Sequence, residues 1–235
     1  MQINKIPFEH GWDWFFTAWH ETKTYKKPFL YVGACFFVIS QGAKLVPAFG
    51  LLFSSFLYCL LYLSLFDFFH HWIKDKNYNQ KHFFRFLTDK NLVKSMLPLA
   101  YFKMAVSTVA QLCFWAAEYN SRFMLLGLFG FAIEFISSLY ILHLAPLMHY
   151  NKLSIKPALL ITTNAIRKNF LAEILFFSWA ITIALSSSLL FLAGWYFTSA
   201  MFGYAFYLKH ISIYGEVNST GNNPSEYNYL KASGT

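Results

Sequence analysis

The chain carries too little charge to cover itself with a polar surface. Charged residues make up 13% of its 235 positions, against about 25% in an ordinary soluble domain, and hydrophobic residues make up 57%. The segment 174–208 contains no Asp, Glu, Lys or Arg. A single helix of that length would measure ~52 Å, well beyond the ~30 Å hydrocarbon core of a bilayer. The segment must therefore fold back once.

The sequence also lacks the short motifs that mark common active sites. It contains no GxSxG turn, no HExxH pair, no phosphate-binding P-loop and no GxGxxG at the start of a helix. Cys35, Cys59 and Cys113 fall inside apolar segments, where a small buried side chain is favoured over a disulfide or metal role. We therefore predict no catalytic residue and no cofactor, and we favour a protein that is not an enzyme.

The histidines raise the question of a metal. His70, His71, His82, His143 and His149 could all supply imidazole ligands. However, adjacent histidines point to different faces of a helix, and no Cys or carboxylate nearby completes a tetrahedral set. Histidine at the membrane interface is the more usual explanation, so no metal site is predicted.

Apolar blocks predict an all-α membrane protein with six transmembrane helices arranged as three hairpins. The first pair covers about 29–46 and 49–72, the second about 96–117 and 123–147, and the third lies within 169–208. Turns are expected near Pro47 and Gly50, at 118–122, and between 186 and 194. Helices are favoured because these segments do not alternate as membrane strands of ~10 residues do. Residues 1–214 form one predicted transmembrane domain, and 215–235 a disordered polar tail.

The basic residues predict the orientation in the membrane. With six spans, both termini and the loops between hairpins share one side, and every Lys and Arg except Lys44, Lys103 and Arg122 falls there. Because basic residues near span ends stay in the cytoplasm, both termini are predicted to be cytoplasmic. Topology and attraction to anionic lipid headgroups then explain the net charge of +8. No nucleic-acid partner is expected.

A surface helix is predicted before each hairpin. The first, in HGWDWFFTAWHETKT, is amphipathic and leads into a Lys pair, as is typical of helices that lie at a membrane interface. Its predicted interface residues are Trp12, Trp14, Phe15, Phe16, Trp19, Lys26 and Lys27. Packing of this face into a groove of a partner protein is the alternative.

Two later segments repeat the pattern. The segment after residue 81 places Phe83, Phe84 and Leu87 on one face before Lys90 and Lys94. The segment after residue 153 carries a similar face and basic end, formed by Leu159, Thr162, Thr163, Ile166, Arg167 and Lys168. Both then enter a predicted span.

These units indicate a threefold internal repeat, over about 12–73, 82–150 and 155–214. The corresponding lysines Lys27, Lys94 and Lys168 are 67 and then 74 residues apart, a spacing compatible with repeated structural units. Each unit also closes with an aromatic segment that carries histidine: FDFFHHW, LHLAPLMHY and YAFYLKHISIY. Residue identity between the units is low.

Several segments resemble a known family. They are GWDWFFTAW followed by KKPF, PAFG between the first two spans, LAPLMHYNKLSIKPALLITTNAIRKNFL after the fourth, and YAFYLKHI near the end. They are similar to uncharacterised six-span proteins of the bacterial inner membrane, akin to YciC-type proteins and to the membrane domain of some glycerophosphodiester phosphodiesterases. The resemblance covers about residues 10–215 and implies a multi-pass protein of the bacterial inner (cytoplasmic) membrane. It implies no activity and no catalytic residue.

The chain departs from that family at two places. TTNAIRKN stands where a Ser-Phe pair is common, and the first helix is unusually aromatic.

Four ionisable residues fall inside predicted spans: Asp67, Lys103, Glu134 and Glu173. Each costs ~2.5–3.5 kcal/mol at mid-bilayer and therefore needs a partner or water. Asp67 and Lys103 fall at similar depth, so an ion pair between them is predicted. Glu134 lies deeper and could join this pair or stand alone. Such charges either fix the register of helices or line a path for a substrate or proton.

The predicted function is that of a scaffold or accessory subunit of a membrane process. Its expected partners are the bilayer, anionic lipid headgroups and a membrane protein. The alternative is a transporter or channel for a small solute or lipid that uses Asp67, Lys103 and Glu134. A membrane enzyme, or the membrane partner of an enzyme acting on phospholipid, is the third hypothesis.

Overall fold

A computed structural model describes residues 3–46, 50–75, 80–189 and 191–215. Every regular element in these residues is helical, which confirms the all-α class. In chain order the helices are α1 (His10–Thr24), α2 (Lys26–Lys44), α3 (Gly50–Asp75), α4 (Gln80–Phe83), α5 (Arg85–Thr88), α6 (Lys90–Tyr119), α7 (Met124–Tyr150), α8 (Ile155–Lys168), α9 (Phe170–Leu189) and α10 (Phe191–Tyr214), with a 3-10 turn at Ser121–Phe123. The predicted turn at Pro47 and the predicted tail beyond 215 lie outside the described residues.

Four helices are long and apolar enough to cross a membrane, within the described residues. They lie at Phe53–Lys74, Lys90–Tyr119, Met124–Tyr150 and Phe170–Ser187, and they correspond to the second to fifth predicted spans. The predicted turn at 118–122 is confirmed, because α6 ends and α7 begins there. The first and sixth predicted spans are occupied by α2, of 19 residues, and α10, of 24 residues.

The helices α3 and α10 lie at the centre of the bundle. α3 packs against α2, α6, α7 and α10, while α10 packs against α1, α2, α3 and α9. Of the apolar stretch of α3, 67% is buried, compared with 22% in each of α6, α7 and α9. The last three helices therefore turn most of their apolar surface outward, as helices that contact lipid do.

α1 packs into the protein more deeply than predicted. Trp14 and Phe15 are buried, and the ring of Phe15 stacks on that of Phe176 in α9 with centroids 4.6 Å apart. Phe16 and Trp19 stay exposed. The prediction that all five aromatic residues of α1 lie at the membrane interface is therefore wrong for Trp14 and Phe15.

A close approach of backbones explains this burial. A Cβ atom on Gly11 would lie 2.7 Å from the carbonyl oxygen of Ala172, so a larger residue would push α1 off α9. Ala18, one turn after Trp14, is fully buried on the same face. The small residues Gly11 and Ala18 let α1 approach α9 closely, so that the rings of Trp14 and Phe15 between them are buried in the protein.

The second predicted surface helix is broken into the two short helices α4 and α5. The chain leaves helical geometry at Phe84, and the break turns Phe83 and Phe86 inward while Leu87 is exposed. The predicted face of Phe83, Phe84 and Leu87 is therefore wrong.

The third segment predicted as a surface helix forms the helix α8, but its buried face differs from the predicted one. The small residues Ala158, Thr162 and Ala165 face the protein, whereas Leu159 is exposed. Its basic end, Arg167 and Lys168, is also exposed. Small side chains are favoured inward because α8 packs tightly on α7.

Each surface segment packs on the last helix of the unit before it. α4 contacts α3, α8 contacts α7, and α1 contacts α10. The last of these contacts joins the first helix of the chain to the final one, so the three predicted units follow one another in a ring.

Asp89 caps the first turn of α6 and provides a test of this fold. Its Oδ1 accepts hydrogen bonds from the backbone N–H groups of Asn91, at 3.0 Å, and Leu92, at 3.1 Å. Its Oδ2 lies 3.0 Å from the guanidinium group of Arg85. We expect Asp89→Ala to lower the free energy of unfolding by about 0.5–2 kcal/mol, the usual cost of a lost cap. Asp89→Asn should lower it less, since an amide oxygen still accepts these bonds.

The contribution of the Asp89 charge should depend on pH. The N–H of Leu92 and, after it, Arg85 hold the pKa of Asp89 below its ordinary value of 3.8. Because the pKa is lower in the folded state, the stabilisation is complete above the unfolded pKa and is lost as pH falls through the folded one. Thermal denaturation in detergent should therefore show the gap between wild type and Asp89→Asn shrinking below pH 4. Asp13→Ala, at an exposed acid in α1, is the control, and a gap that widens in acid would contradict this assignment.

Candidate functional site

The three aromatic segments that close the predicted units meet at one end of the bundle. They form the ends of α3, α7 and α10. The ring of Phe66 lies 5.5 Å from Tyr150, 4.8 Å from Tyr207 and 5.0 Å from the imidazole of His210. His70 Nδ1 is 3.2 Å from the hydroxyl of Tyr207. One aromatic cluster therefore joins these three helices, and ionic groups surround it.

The first charged centre surrounds Asp67 in α3. This residue is only 1% exposed, and the Tyr150 hydroxyl donates a hydrogen bond of 2.8 Å to its Oδ1. The guanidinium Nη1 of Arg85 lies 3.5 Å from the same oxygen. Two imidazoles approach the carboxylate as well, those of His71 at 3.9 Å and His82 at 4.0 Å. This centre ties α3 to α7 and to the short helices α4 and α5.

The second centre is formed by Lys103 in α6 and Glu134 in α7. Lys103 Nζ lies 2.5 Å from Glu134 Oε1 and also donates to the hydroxyls of Ser137, at 3.1 Å, and Ser138, at 2.9 Å. Ser107 donates to Glu134 Oε2 at 3.0 Å. The lysine side chain is 3% exposed, but that of Glu134 is 37% exposed. The carboxylate is thus paired on one side and open on the other.

The predicted Asp67–Lys103 ion pair is wrong. Asp67 faces Tyr150 and Arg85, while Lys103 faces Glu134. Similar depth in the membrane does not determine which sides of two helices face each other. Glu134, which was expected either to join that pair or to stand alone, instead takes the place of Asp67 as the partner of Lys103.

The third centre is formed by Glu173 in α9, Lys209 in α10 and His143 in α7. Lys209 Nζ donates to Glu173 Oε2 at 2.8 Å, and His143 Nε2 lies 3.2 Å from Glu173 Oε1. Tyr214 lies beyond the imidazole, with its hydroxyl 3.0 Å from His143 Nδ1. A carboxylate opposite Nε2 favours the tautomer with its proton there, so that Nδ1 accepts the Tyr214 hydroxyl. Glu173, Lys209 and His143 are all buried.

Aromatic rings surround the ammonium group of Lys209. Its Nζ lies 4.5 Å from the ring centre of Phe176, 4.7 Å from Phe177 and 5.1 Å from Phe206. Cation–π attraction supplements the bond to Glu173 when the cation is out of water. In the sequence Lys209 falls among the basic residues that flank a span, so this role was not predicted. The available signal was that Glu173 and Lys209, of opposite charge, stand at the same end of the third predicted hairpin.

The basic residues predicted at the membrane interface are exposed. Lys26 and Lys27 line a shallow groove at the junction of α1 and α2, together with Lys23. The Nζ of Lys23 lies 5.5 Å from the ring centre of Trp19. This groove is open to an anionic group, and its aromatic neighbour suits the depth of lipid headgroups.

Searches of family models, of curated proteins and of solved structures found no match to this chain. The class of this protein is therefore defined by its fold and its site, without a family. It is an all-helical protein in which four of the described helices are suited to cross a membrane, and in which three ionic centres lie among the helices.

The Glu173–Lys209 pair yields a test by double substitution. Removing one partner of a buried pair costs about 3–5 kcal/mol, because the other charge stays buried without compensation. We therefore expect Glu173→Leu and Lys209→Met each to lower the thermal stability strongly in detergent. The loss of thermal stability in the double variant should be smaller than the sum of the losses in the two single variants, since the double variant buries neither charge.

The exposed lysine Lys156 supplies the control Lys156→Met, which should change stability little. Strictly additive losses in the double variant would show that the two groups do not act as a pair.

Proposed function

We propose that this chain is a multi-pass protein of the bacterial inner membrane that acts as a scaffold or accessory subunit and holds a spanning helix of a partner protein. The observation that carries this proposal is the partly exposed carboxylate of Glu134 in an outward-facing apolar helix. In this proposal the chain crosses the membrane six times as three hairpins, with both termini in the cytoplasm.

The six-span topology rests on three observations. Four helices have spanning length and composition, and α2 and α10 occupy the other two predicted spans. The basic residues concentrate on the side of the termini and the loops between hairpins. Contacts of each surface segment with the preceding unit agree with a threefold repeat. The resemblance to YciC-type proteins points the same way.

The position of Glu134 favours a protein partner over lipid. It lies ten residues into α7, ~15 Å from the start of that helix at the usual rise. A carboxylate at this depth that faces lipid is costly, and ionisable groups in membranes face a partner or water. Lys103 and Ser107 cover part of it. A partner helix that brings a hydrogen-bond donor, such as a serine, asparagine or lysine side chain, would cover the rest.

The arrangement gives less support to a transporter that uses Asp67, Lys103 and Glu134 together. Asp67 belongs to a different centre from the other two, and Tyr150 and Arg85 occupy its Oδ1. A solute path would require these groups to face one common space.

The exposed basic residues at Lys26 and at Arg167 are suited to contact anionic lipid headgroups, and such contacts would fix the depth of the bundle in the membrane.

Site-specific photocrosslinking in native membranes tests the proposed partner helix. A photoreactive residue at Phe131, which is exposed one turn before Glu134, should crosslink to one membrane protein. The same residue at Leu185, exposed on α9, should not. Glu134→Gln should reduce the crosslink at Phe131 about threefold or more, which corresponds to the ~0.6 kcal/mol average of a polar contact between membrane helices.

Glu118→Gln, at an exposed acid at the end of α6, is the matched control and should leave the crosslink unchanged. Lipid adducts alone at Phe131, or a protein adduct that is indifferent to Glu134→Gln, would refute the proposal.

A further inference from the structure

Three potential metal ligands lie together where α3 ends. One carboxylate oxygen of Asp67 and one ring nitrogen each of His71 and His82 lie within 4.8 Å of one another. Asp67 and His71 are one turn apart on α3, and His82 comes from α4. The two imidazoles stack with centroids 3.7 Å apart and planes inclined by 16°. Two helices thus bring a carboxylate and two imidazoles to one place.

The two oxygens of Asp67 have different surroundings. Oδ1 accepts the Tyr150 hydroxyl and faces Arg85. Oδ2 is buried, has no hydrogen-bond partner among the described residues, and lies 4.0 Å from His82 Nδ1. A buried carboxylate oxygen that accepts no hydrogen bond is costly. A cation shared with the two imidazoles would remove that cost.

The hydrogen bond that His71 makes to the backbone leaves its second ring nitrogen unprotonated. Its Nδ1 lies 2.8 Å from the backbone carbonyl oxygen of Asp67, so it is the nitrogen that carries the proton. The other nitrogen, Nε2, then keeps its lone pair. A ligand imidazole that donates its second N–H to a backbone carbonyl is the usual arrangement around protein-bound metals.

An ion can reach this cluster from water. The side chains of His71 and His82 are 33% and 29% exposed, whereas that of Asp67 is 1% exposed. The charge of Arg85 opposes a cation here, but its Nη2 lies 3.0 Å from Asp89, a second carboxylate that offsets it.

We propose that Asp67, His71 and His82 bind a divalent transition-metal ion of the kind that Zn²⁺ represents. Two imidazoles and one carboxylate are ligands that Zn²⁺ takes in proteins, and they leave a fourth position to water. The ion would link α3 to α4, a helix of four residues that is too short to be stable by itself. No metal site was predicted from the sequence, because the adjacent His70 and His71 point to different faces of a helix. Of these two adjacent histidines only His71 belongs to the cluster, and the carboxylate comes from one turn earlier on α3.

Zinc titration of the full-length protein tests this site. The protein is prepared in detergent without a polyhistidine tag and stripped with a chelator, and ZnCl₂ binding is followed by calorimetry, with the visible spectrum of Co²⁺ as a second readout. We expect one Zn²⁺ per chain and a rise in melting temperature on binding. His82→Gln and His71→Gln should each weaken binding at least about 10–100-fold, since disturbing even the groups around metal ligands has that effect.

His20→Gln is the matched control, because His20 is exposed on α1 and outside the cluster. It should bind zinc as the wild type does. Asp67→Asn should also weaken binding, and if it fails to fold, the two histidine variants decide the matter. No binding by the wild type, or wild-type affinity in both His71→Gln and His82→Gln, would overturn the proposal.

Discussion

The carboxylate of Glu173 and the ammonium group of Lys209 lie 2.8 Å apart where neither side chain reaches water. Charges removed from water need partners, and this requirement fixes how α9 lies against α10. His143 brings α7 to the same carboxylate, while Lys103 and Glu134 join α6 to α7. Apolar helices in lipid gain little from hydrophobic contact with one another. Polar contacts therefore set the register of these helices.

The ring of contacts gives the bundle its closure. The helices α3, α7 and α10 meet around Phe66, and α4 packs on α3, α8 on α7 and α1 on α10. The first surface helix, α1, has no preceding helix to pack on, and it packs on the last helix, α10. Trp14 Nε1 donates a hydrogen bond to Ser212 Oγ at 3.1 Å, and the backbone N–H of Asn4 donates one to the carbonyl oxygen of Ile213 at 2.9 Å. These bonds join the start of the described chain to the end of α10.

Helix positions followed from the sequence because long apolar blocks and polar interruptions determine them, as the boundary between α6 and α7 shows. Side-chain partners did not follow. A spanning helix that is apolar on all sides has no face that indicates which helix it packs against. The Asp67–Lys103 pair, predicted from equal depth alone, was therefore wrong. In α1 the large residues alone suggested an interface, but Gly11 and Ala18 decide which side approaches α9. Lys209 was misassigned because a lysine at the end of a span ordinarily reaches for water.

The three charged centres differ most in what can reach them. Glu173 and Lys209 are enclosed by protein and aromatic rings, so their geometry is suited to holding helices together. Glu134 opens sideways into the region where α7 turns apolar surface outward, where lipid or another helix would be its neighbour in a membrane. Asp67 is reached past two partly exposed imidazoles at the end of α3, where an ion from water can approach. Since binding requires access, the centres at Glu134 and Asp67 are open to an outside partner, whereas the Glu173–Lys209 centre is suited only to holding helices together.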